Sequence, residues 1–104
     1  MENKYQAQLI RKLRKMFVGC IILKNDSSYL QGVPDLLILW NDRWAALECK
    51  DDAGSREQPN QRYYVNLMDR MSFAAFTFPE NEEDVLRELQ RSFTSRRSAR
   101  FPVG

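Results

Sequence analysis

Hydrophobic residues at helical spacing begin the chain. Tyr5, Leu9 and Leu13 recur every four residues, and basic side chains lie between them. This spacing predicts an amphipathic helix over residues 2–17 whose apolar stripe faces a core. Gly19 follows the stripe, at a position where glycine commonly ends a helix.

Three short apolar runs come next, and each has the length of a β-strand: CIILK at 20–24, DLLILW at 35–40 and WAALEC at 44–49. The last two are apolar on both faces, which is typical of strands in the middle of a sheet. Residues 41–43 predict a tight hairpin between them. Trp40 and Trp44 flank this hairpin, and we expect them to pack against each other and the sheet.

The second half of the chain predicts a helix, a strand and a helix. Pro59 suits the first turn of a helix that runs to about residue 71, with a buried set of Tyr64, Val65, Leu67, Met68 and Met71. Residues 73–78 predict a fourth strand, and Pro79 with the acidic residues after it predicts the start of a third helix. The expected fold is α/β, an αβββαβα order with a small mixed sheet flanked by helices.

Histidine is absent from the sequence. Its absence excludes Ser-His-Asp and Cys-His catalysis and histidine-ligated zinc. Any chemistry must therefore use carboxylates, lysine, hydroxyls or a metal held by oxygen. Cys20 and Cys49 lie in apolar runs without metal-ligand spacing, which predicts two reduced core thiols.

The length of 104 residues predicts one domain, over residues 1–95, followed by a basic tail over residues 96–104. The first residues carry no secretion signal, and no apolar run is long enough to span a membrane. We therefore expect a cytoplasmic protein without membrane contact.

Charge is unevenly distributed along the chain. Sixteen basic and 14 acidic residues leave a net charge of +2, which by itself does not indicate a nucleic-acid partner. Basic residues nevertheless cluster near both ends of the chain, and acidic residues cluster at 80–84. Two interpretations remain open: solvated helix faces with a solubilising tail, or two basic patches beside a site for a polyanion.

Two acids and a lysine interrupt the apolar strands. Asp35 opens one strand and Glu48 lies within the next, and a loop over residues 41–43 would place Glu48 opposite residues 36–37, next to Asp35. Side-chain alternation puts Glu48 and Lys50 on one face and Cys49 on the other. An ion pair of Lys50 with either acid is one explanation. A divalent cation is the other, because Mg²⁺ prefers carboxylate oxygens and buried charge must be compensated.

These residues also carry a family resemblance. GVPDLLIL followed by ALECK resembles the PD-(D/E)xK nuclease signature, in which an Asp opens one strand and Glu-x-Lys lies on the next. The predicted αβββαβα order is similar to the restriction-endonuclease-like core of that superfamily. Within it, the chain resembles a stand-alone VRR-NUC domain through Glu2 and Gln6 on the first helix and Gln61 on the second. The resemblance covers residues 2 to about 93.

The resemblance implies hydrolysis of phosphodiester bonds with Mg²⁺ or Mn²⁺. It implies oxygen ligands for the metal from four residues: Asp35, Glu48, Cys49 (by its backbone carbonyl) and Glu2. Lys50 would orient the attacking water and offset negative charge in the transition state, and Gln61 would lie close to the site.

We further expect a DNA partner. The candidate DNA contacts are the following residues of the two helices and the tail: Lys4, Gln6, Arg11, Lys12, Arg62, Arg96 and Arg97. A domain of this size has no room for a separate base-reading module, which favours branched or four-way junction DNA recognised by shape. Resemblance to Holliday-junction resolvases implies a homodimer, and such short forms are typical of phage or bacterial genomes. The alternatives are a monomeric flap or nicking nuclease and a non-catalytic nucleic-acid-binding module on the same fold.

Overall fold

The computed structural model describes residues 4–26 and 28–95, and these form a four-stranded mixed sheet with three helices. The elements in chain order are α1 (Lys4–Met16), β1 (Ile21–Lys24), β2 (Leu36–Trp40), β3 (Arg43–Cys49), α2 (Gln61–Met71), β4 (Phe73–Thr77) and α3 (Glu82–Thr94). The α/β class and the αβββαβα order are thus confirmed. The predicted basic tail over 96–104 lies outside the described residues.

The strands lie side by side in the order β1-β2-β3-β4. β1, β2 and β3 form an antiparallel meander, whereas β4 runs parallel to β3. The parallel pair needs a crossover, and α2 supplies it as the helix of a βαβ unit. β2 and β3 are therefore the inner strands, which explains why their sequences are apolar on both faces.

The hairpin between β2 and β3 is shorter than the sequence predicts. Trp40 pairs with Arg43, so only Asn41 and Asp42 lie in the turn. Asn41 has a positive φ of 55°, as tight two-residue hairpin turns require. The predicted loop over 41–43 is therefore wrong, and so is the partner of Glu48: because Leu36 pairs with Leu47, the register continues to Asp35 opposite Glu48.

The core lies on both faces of the sheet. On one face, α1 and α3 pack over buried side chains of β2 and β3, such as Leu36, Ile38 and Leu47. On the other face, Val65 of α2 packs against Ala46 and other residues of β3 and β4. A small chain thus covers a single sheet with a helix layer on each side.

The two tryptophans do not pack against each other. Trp40 stacks on Phe93 with ring centroids 5.9 Å apart, on the face covered by α1 and α3. Trp44 belongs to the cluster under α2. Because Trp44 pairs with Leu39 and side chains alternate along a strand, the two indoles point to opposite faces. The prediction of a tryptophan pair is therefore wrong.

Two helix predictions also need correction. α3 begins at Glu82, after a turn that contains Pro79 and Glu80, and it buries four apolar residues: Val85, Leu86, Leu89 and Phe93. On α2, Val65 is buried as predicted, but Met71 is 57% exposed. Met71 ends the helix at its carboxyl end, where the apolar spacing continues but no described element covers the side chain. None of the described helices is long and apolar enough to cross a membrane.

Candidate active site

Asp35 is fixed at the beginning of β2. Its carboxylate oxygen Oδ2 accepts a hydrogen bond of 3.0 Å from the backbone N–H of Cys49. Its carbonyl accepts the N–H of Asn25 at 2.8 Å, and the Asn25 side chain donates to the carbonyl of Pro34 at 2.7 Å. The Asp35 side chain therefore takes the place of a backbone acceptor where the β2–β3 ladder ends, which holds the carboxylate beside β3.

Glu48 lies opposite Asp35 and is nearly inaccessible, with 3% of its surface exposed. Its oxygen Oε2 accepts a hydrogen bond of 3.0 Å from the side-chain amide of Gln61 and lies 3.8 Å from the Lys50 ammonium. Its other oxygen, Oε1, is buried and has no hydrogen-bond partner among the described residues. A buried carboxylate oxygen without a partner is costly, so the surroundings of this oxygen need an explanation.

Lys50 follows β3 directly, and its side chain lies on the same face as Glu48, as the sequence predicts. The backbone N–H of Lys50 donates to Thr77 at 2.8 Å, which continues the pairing with β4. Its ammonium donates to the Gln61 side chain at 2.6 Å and to the carbonyl of Arg56 at 3.1 Å. The side chain is only 12% exposed. Lys50 is therefore held in one orientation by two neutral acceptors and one acid.

Gln61 links the acid to the lysine from the first turn of α2. The residue is 9% exposed. Its Nε2 donates to Glu48, while its Oε1 accepts from Lys50 and, at 2.8 Å, from the backbone N–H of Gln58. Because two donors face Oε1 and a carboxylate faces Nε2, only one orientation of the amide satisfies all three bonds. Gln61 thus fixes the positions of Glu48 and Lys50 relative to each other.

Burial and the neighbouring acid change the protonation of Glu48. Desolvation, followed by the negative charge of Asp35, raises the pKa of Glu48 from 4.5 to about 8, although the Lys50 ammonium opposes the shift. A single ammonium therefore does not compensate two carboxylates in this position. A further cation between Asp35 and Glu48 would favour the ionised form of both acids and so oppose the shift.

Gly32 positions α2 over the site. The residue has a φ of +93°, and a β-carbon at this position would come within 2.6 Å of the Asn60 side chain and 2.8 Å of backbone atoms of Pro59 and Asn60. The loop before Asp35 and the segment before Gln61 are therefore in direct contact. Only glycine combines this backbone conformation with so close an approach.

Cys49 faces away from the two acids, as predicted. Its thiol is 7% exposed and lies in the core beside α1. Burial raises the pKa of the thiol, while an interaction with the side chain of Gln6 opposes this. A buried thiol on that face has no access to the acids, so the backbone of Cys49 is the part of this residue that adjoins the site.

The predicted DNA contacts are spread over the surface. Lys4 and Arg11 are exposed on α1. Lys12 is exposed but forms an ion pair with Glu82 of α3. Gln6 is half-buried and interacts with Cys49. Lys4, Arg11 and Lys12 therefore lie on one helix, which packs on the opposite face of the sheet from Glu48 and Lys50.

Arg62 lies on α2, on the opposite face of the sheet from α1. It pairs with Glu57, and its guanidinium lies 5.1 Å from the ring centre of Phe76. Three further predicted residues lie outside the described part of the chain: Glu2, Arg96 and Arg97.

The sequence missed the groups that support the site. The carbonyl of Arg56 and the N–H of Gln58 are backbone atoms of a polar loop, and no residue type at these positions predicts their role. Gly32 carried a weak signal, since a glycine shortly before a strand often marks a special backbone conformation.

The donor set fits a small, hard cation. Within residues 4–26 and 28–95, no group of three or more acidic or thiol side chains is placed to hold a metal ion. Mg²⁺, however, is typically held by one or two carboxylates with water and substrate oxygens. Asp35 and Glu48 provide two carboxylates, and Glu48 Oε1 lacks a partner.

Comparisons of the chain with protein-family models, with curated proteins and with solved structures find no match. What the site can do is therefore judged from its own geometry and chemistry.

Proposed function

We propose that this protein is a metal-dependent endonuclease that hydrolyses phosphodiester bonds in DNA, with a PD-(D/E)xK core of the VRR-NUC type. The observation that carries the proposal is the unpartnered, buried oxygen of Glu48 beside the carboxylate of Asp35. An ion pair with Lys50 alone leaves Glu48 Oε1 without a partner and the pKa of Glu48 raised, so it does not account for the two neighbouring acids. Both features are expected of a site that takes up a cation.

Mg²⁺ or Mn²⁺ would be held by Asp35, Glu48 and the carbonyl of Cys49, with Glu2 as a further acid. When bound, such an ion supplies Lewis-acid activation of the scissile phosphate and of water. Lys50 orients the attacking water and offsets the negative charge that develops on the phosphoryl oxygens. Gln61 positions Lys50 and keeps Glu48 Oε2 occupied, so that Oε1 remains available to the cation.

Branched or four-way junction DNA is the substrate that we favour. A groove of about 810 Å³ beside the site is lined by residues 56–60 with Arg62 and Tyr63. Two of these residues are arginines, which bind phosphate well. The described domain contains one sheet and three helices, and none of them is a separate module for reading bases, so backbone shape would supply the selectivity. A homodimer in the cytoplasm would present two such sites to two strands.

Cleavage of a substrate panel tests this proposal. Four-way, flap, forked and plain duplex DNA are incubated with Mg²⁺ or Mn²⁺, and a parallel series contains EDTA. We expect metal-dependent cleavage, with four-way DNA cut fastest. Asp35→Asn and Lys50→Ala should bind the junction like the wild type but fail to cut it. Asp84→Asn, which removes an exposed acid of α3, is the matched control and should cut normally.

Two outcomes would contradict the proposal. Cleavage that persists in EDTA, or in Asp35→Asn, would show that the metal site is misassigned. Binding without cleavage on any substrate would instead favour a non-catalytic nucleic-acid-binding module. Preferred cleavage of flaps by a monomer would favour the flap or nicking nuclease.

A further inference from the structure

The groove beside the candidate active site shares a wall with it. The groove is lined by residues 56–60 with Arg62 and Tyr63. Two backbone groups of this lining hold the site: the carbonyl of Arg56 accepts a hydrogen bond from Lys50. The N–H of Gln58 donates to the side chain of Gln61. A DNA strand with a phosphate at the two acids therefore has this groove beside its neighbouring nucleotides.

Tyr63 is an exposed aromatic residue of this groove. It is 61% exposed, whereas Gln61, two residues earlier on α2, is 9% exposed and donates to Glu48. Residues two apart on a helix do not share a face. The Tyr63 ring therefore projects from α2 into the groove and not into the core, and neither the fold nor the acids and Lys50 account for an aromatic side chain at this position.

Tyr64 orients the ring of Tyr63. The two ring centroids are 5.1 Å apart and the ring planes meet at 78°, which is an edge-to-face contact. Tyr64 is half-buried and so is anchored to the domain, while Tyr63 is exposed. A single edge-to-face contact leaves at least one face of the Tyr63 ring open to solvent. The open ring face is thus held in place before any ligand arrives.

The charges that line the groove suit a phosphate backbone. Its lining contains two arginines, Arg56 and Arg62, and one acid, Glu57. Arg62 pairs with Glu57. Within residues 4–26 and 28–95, no acid pairs with Arg56, and its side chain is exposed. Arginine binds phosphate oxygens through its planar fork of donors. The groove therefore combines an open aromatic face with an arginine that has no acidic partner in the described chain.

We propose that Tyr63 stacks on an unpaired base of the DNA, so that unpaired nucleotides next to the cleavage point are the feature this groove selects. The inference rests on the proposed function, because it takes DNA as the ligand. A base inside a continuous duplex is already stacked on its neighbours and has no face to offer. An unpaired base offers its face at little cost, and every base can stack on an aromatic ring.

The size of the groove agrees with such a ligand. Sites for single small ligands have volumes of roughly 300–1,000 Å³, and the groove has a volume of about 810 Å³. It therefore has room for an unpaired nucleotide with its base against Tyr63. Stacking also gives a domain without a base-reading module a way to recognise DNA structure, because it tolerates any sequence.

Binding measured in EDTA tests this inference separately from cleavage. The probes are a labelled duplex with a short single-stranded gap and the same duplex with the gap filled, and fluorescence anisotropy gives both affinities. Tyr63→Ala should weaken binding to the gapped DNA about 5- to 150-fold and leave binding to the filled duplex unchanged. Tyr63→Phe keeps the ring and should bind like the wild type. Met71→Ala is the matched control, since Met71 is 57% exposed at the opposite end of α2.

Abasic nucleotides in the gap give a readout that a merely structural role of Tyr63 would not change. They keep the phosphates but remove the bases, so the wild type should bind the abasic gap about as weakly as Tyr63→Ala binds the normal gap. Tyr63→Ala should not distinguish the two gaps, because the interaction is already lost.

Three outcomes would overturn the inference: no loss of affinity in Tyr63→Ala, an equal loss for gapped and filled DNA, or an abasic penalty that persists in Tyr63→Ala. Metal-dependent cleavage together with any of these would leave the nuclease proposal standing and remove the stacking role alone. The expected coupling in a protein that cuts no DNA with Mg²⁺ or Mn²⁺ would support the stacking role and contradict the nuclease.

Discussion

Replacing Glu48 with glutamine should make the metal-free protein more stable at alkaline pH. Burial and Asp35 raise the pKa of Glu48 from 4.5 to about 8 in the folded chain. The folded protein therefore keeps a proton that the unfolded chain releases. This contribution to stability is complete below about pH 4.5 and is lost as the pH rises through 8. The glutamine side chain has nearly the same shape as glutamate, and its amide does not titrate in this pH range.

The size of the pKa shift of Glu48 sets the expected change in the free energy of unfolding. One pKa unit corresponds to about 1.4 kcal/mol. The difference between 4.5 and about 8 therefore predicts that the free energy of unfolding of the wild type falls by about 4 kcal/mol between pH 5 and pH 9, relative to the variant. Glu48 is 3% exposed, so solvent does not screen the interaction substantially.

Urea unfolding followed by circular dichroism, in EDTA and at several pH values, measures this difference. The wild type should lose stability relative to Glu48→Gln as the pH rises. Glu88→Gln, at an exposed position on α3, should follow the wild type. Parallel stability curves for the wild type and Glu48→Gln over the whole range would refute the assignment of Glu48 as a buried, uncompensated acid.

Three further predictions concern the site. Saturating Mg²⁺ at pH 8 should stabilise the wild type by about 2–3 kcal/mol when its concentration is 100 times the dissociation constant, and calorimetry should show no such gain for Asp35→Asn. Gly32→Ala should cost more than 2 kcal/mol in urea unfolding because it combines a positive φ with a clash against Asn60, whereas Gly19→Ala, with a φ of +90° but open space, should cost about 1 kcal/mol. Gln61→Ala should reduce kcat about 10- to 100-fold with junction binding unchanged, because it frees Lys50. An equal cost for the two glycines, or a change in binding alone for Gln61→Ala, would contradict these expectations.

Local sequence patterns predicted most of the fold. Apolar spacing predicted the three helices and four strands because each element has one period and one buried side. The boundaries were less accurate where the chain turns. The hairpin after Trp40 was predicted one residue too long, since sequence alone did not reveal that Asn41 adopts a positive φ.

For the candidate site too, the sequence predicted part of the arrangement and did not predict the rest. An acid opening one strand and Glu-x-Lys on the next were sufficient to bring Asp35, Glu48 and Lys50 together, because strand pairing and alternation are regular. The sequence also singled out Gln61. It did not predict the three hydrogen bonds of the Gln61 amide, which depend on the path of residues 56–60.

The residues that can perform chemistry are evident from the sequence: it contains no histidine, and it has two carboxylates and a lysine at one end of an apolar hairpin. Three other features depend on tertiary packing: Glu48 Oε1 has no partner among the described residues, Gly32 lies against Asn60, and apolar side chains of β1 are exposed. These features arise between segments distant in sequence. Burial and partner choice depend on how such segments pack, and no local pattern encodes that.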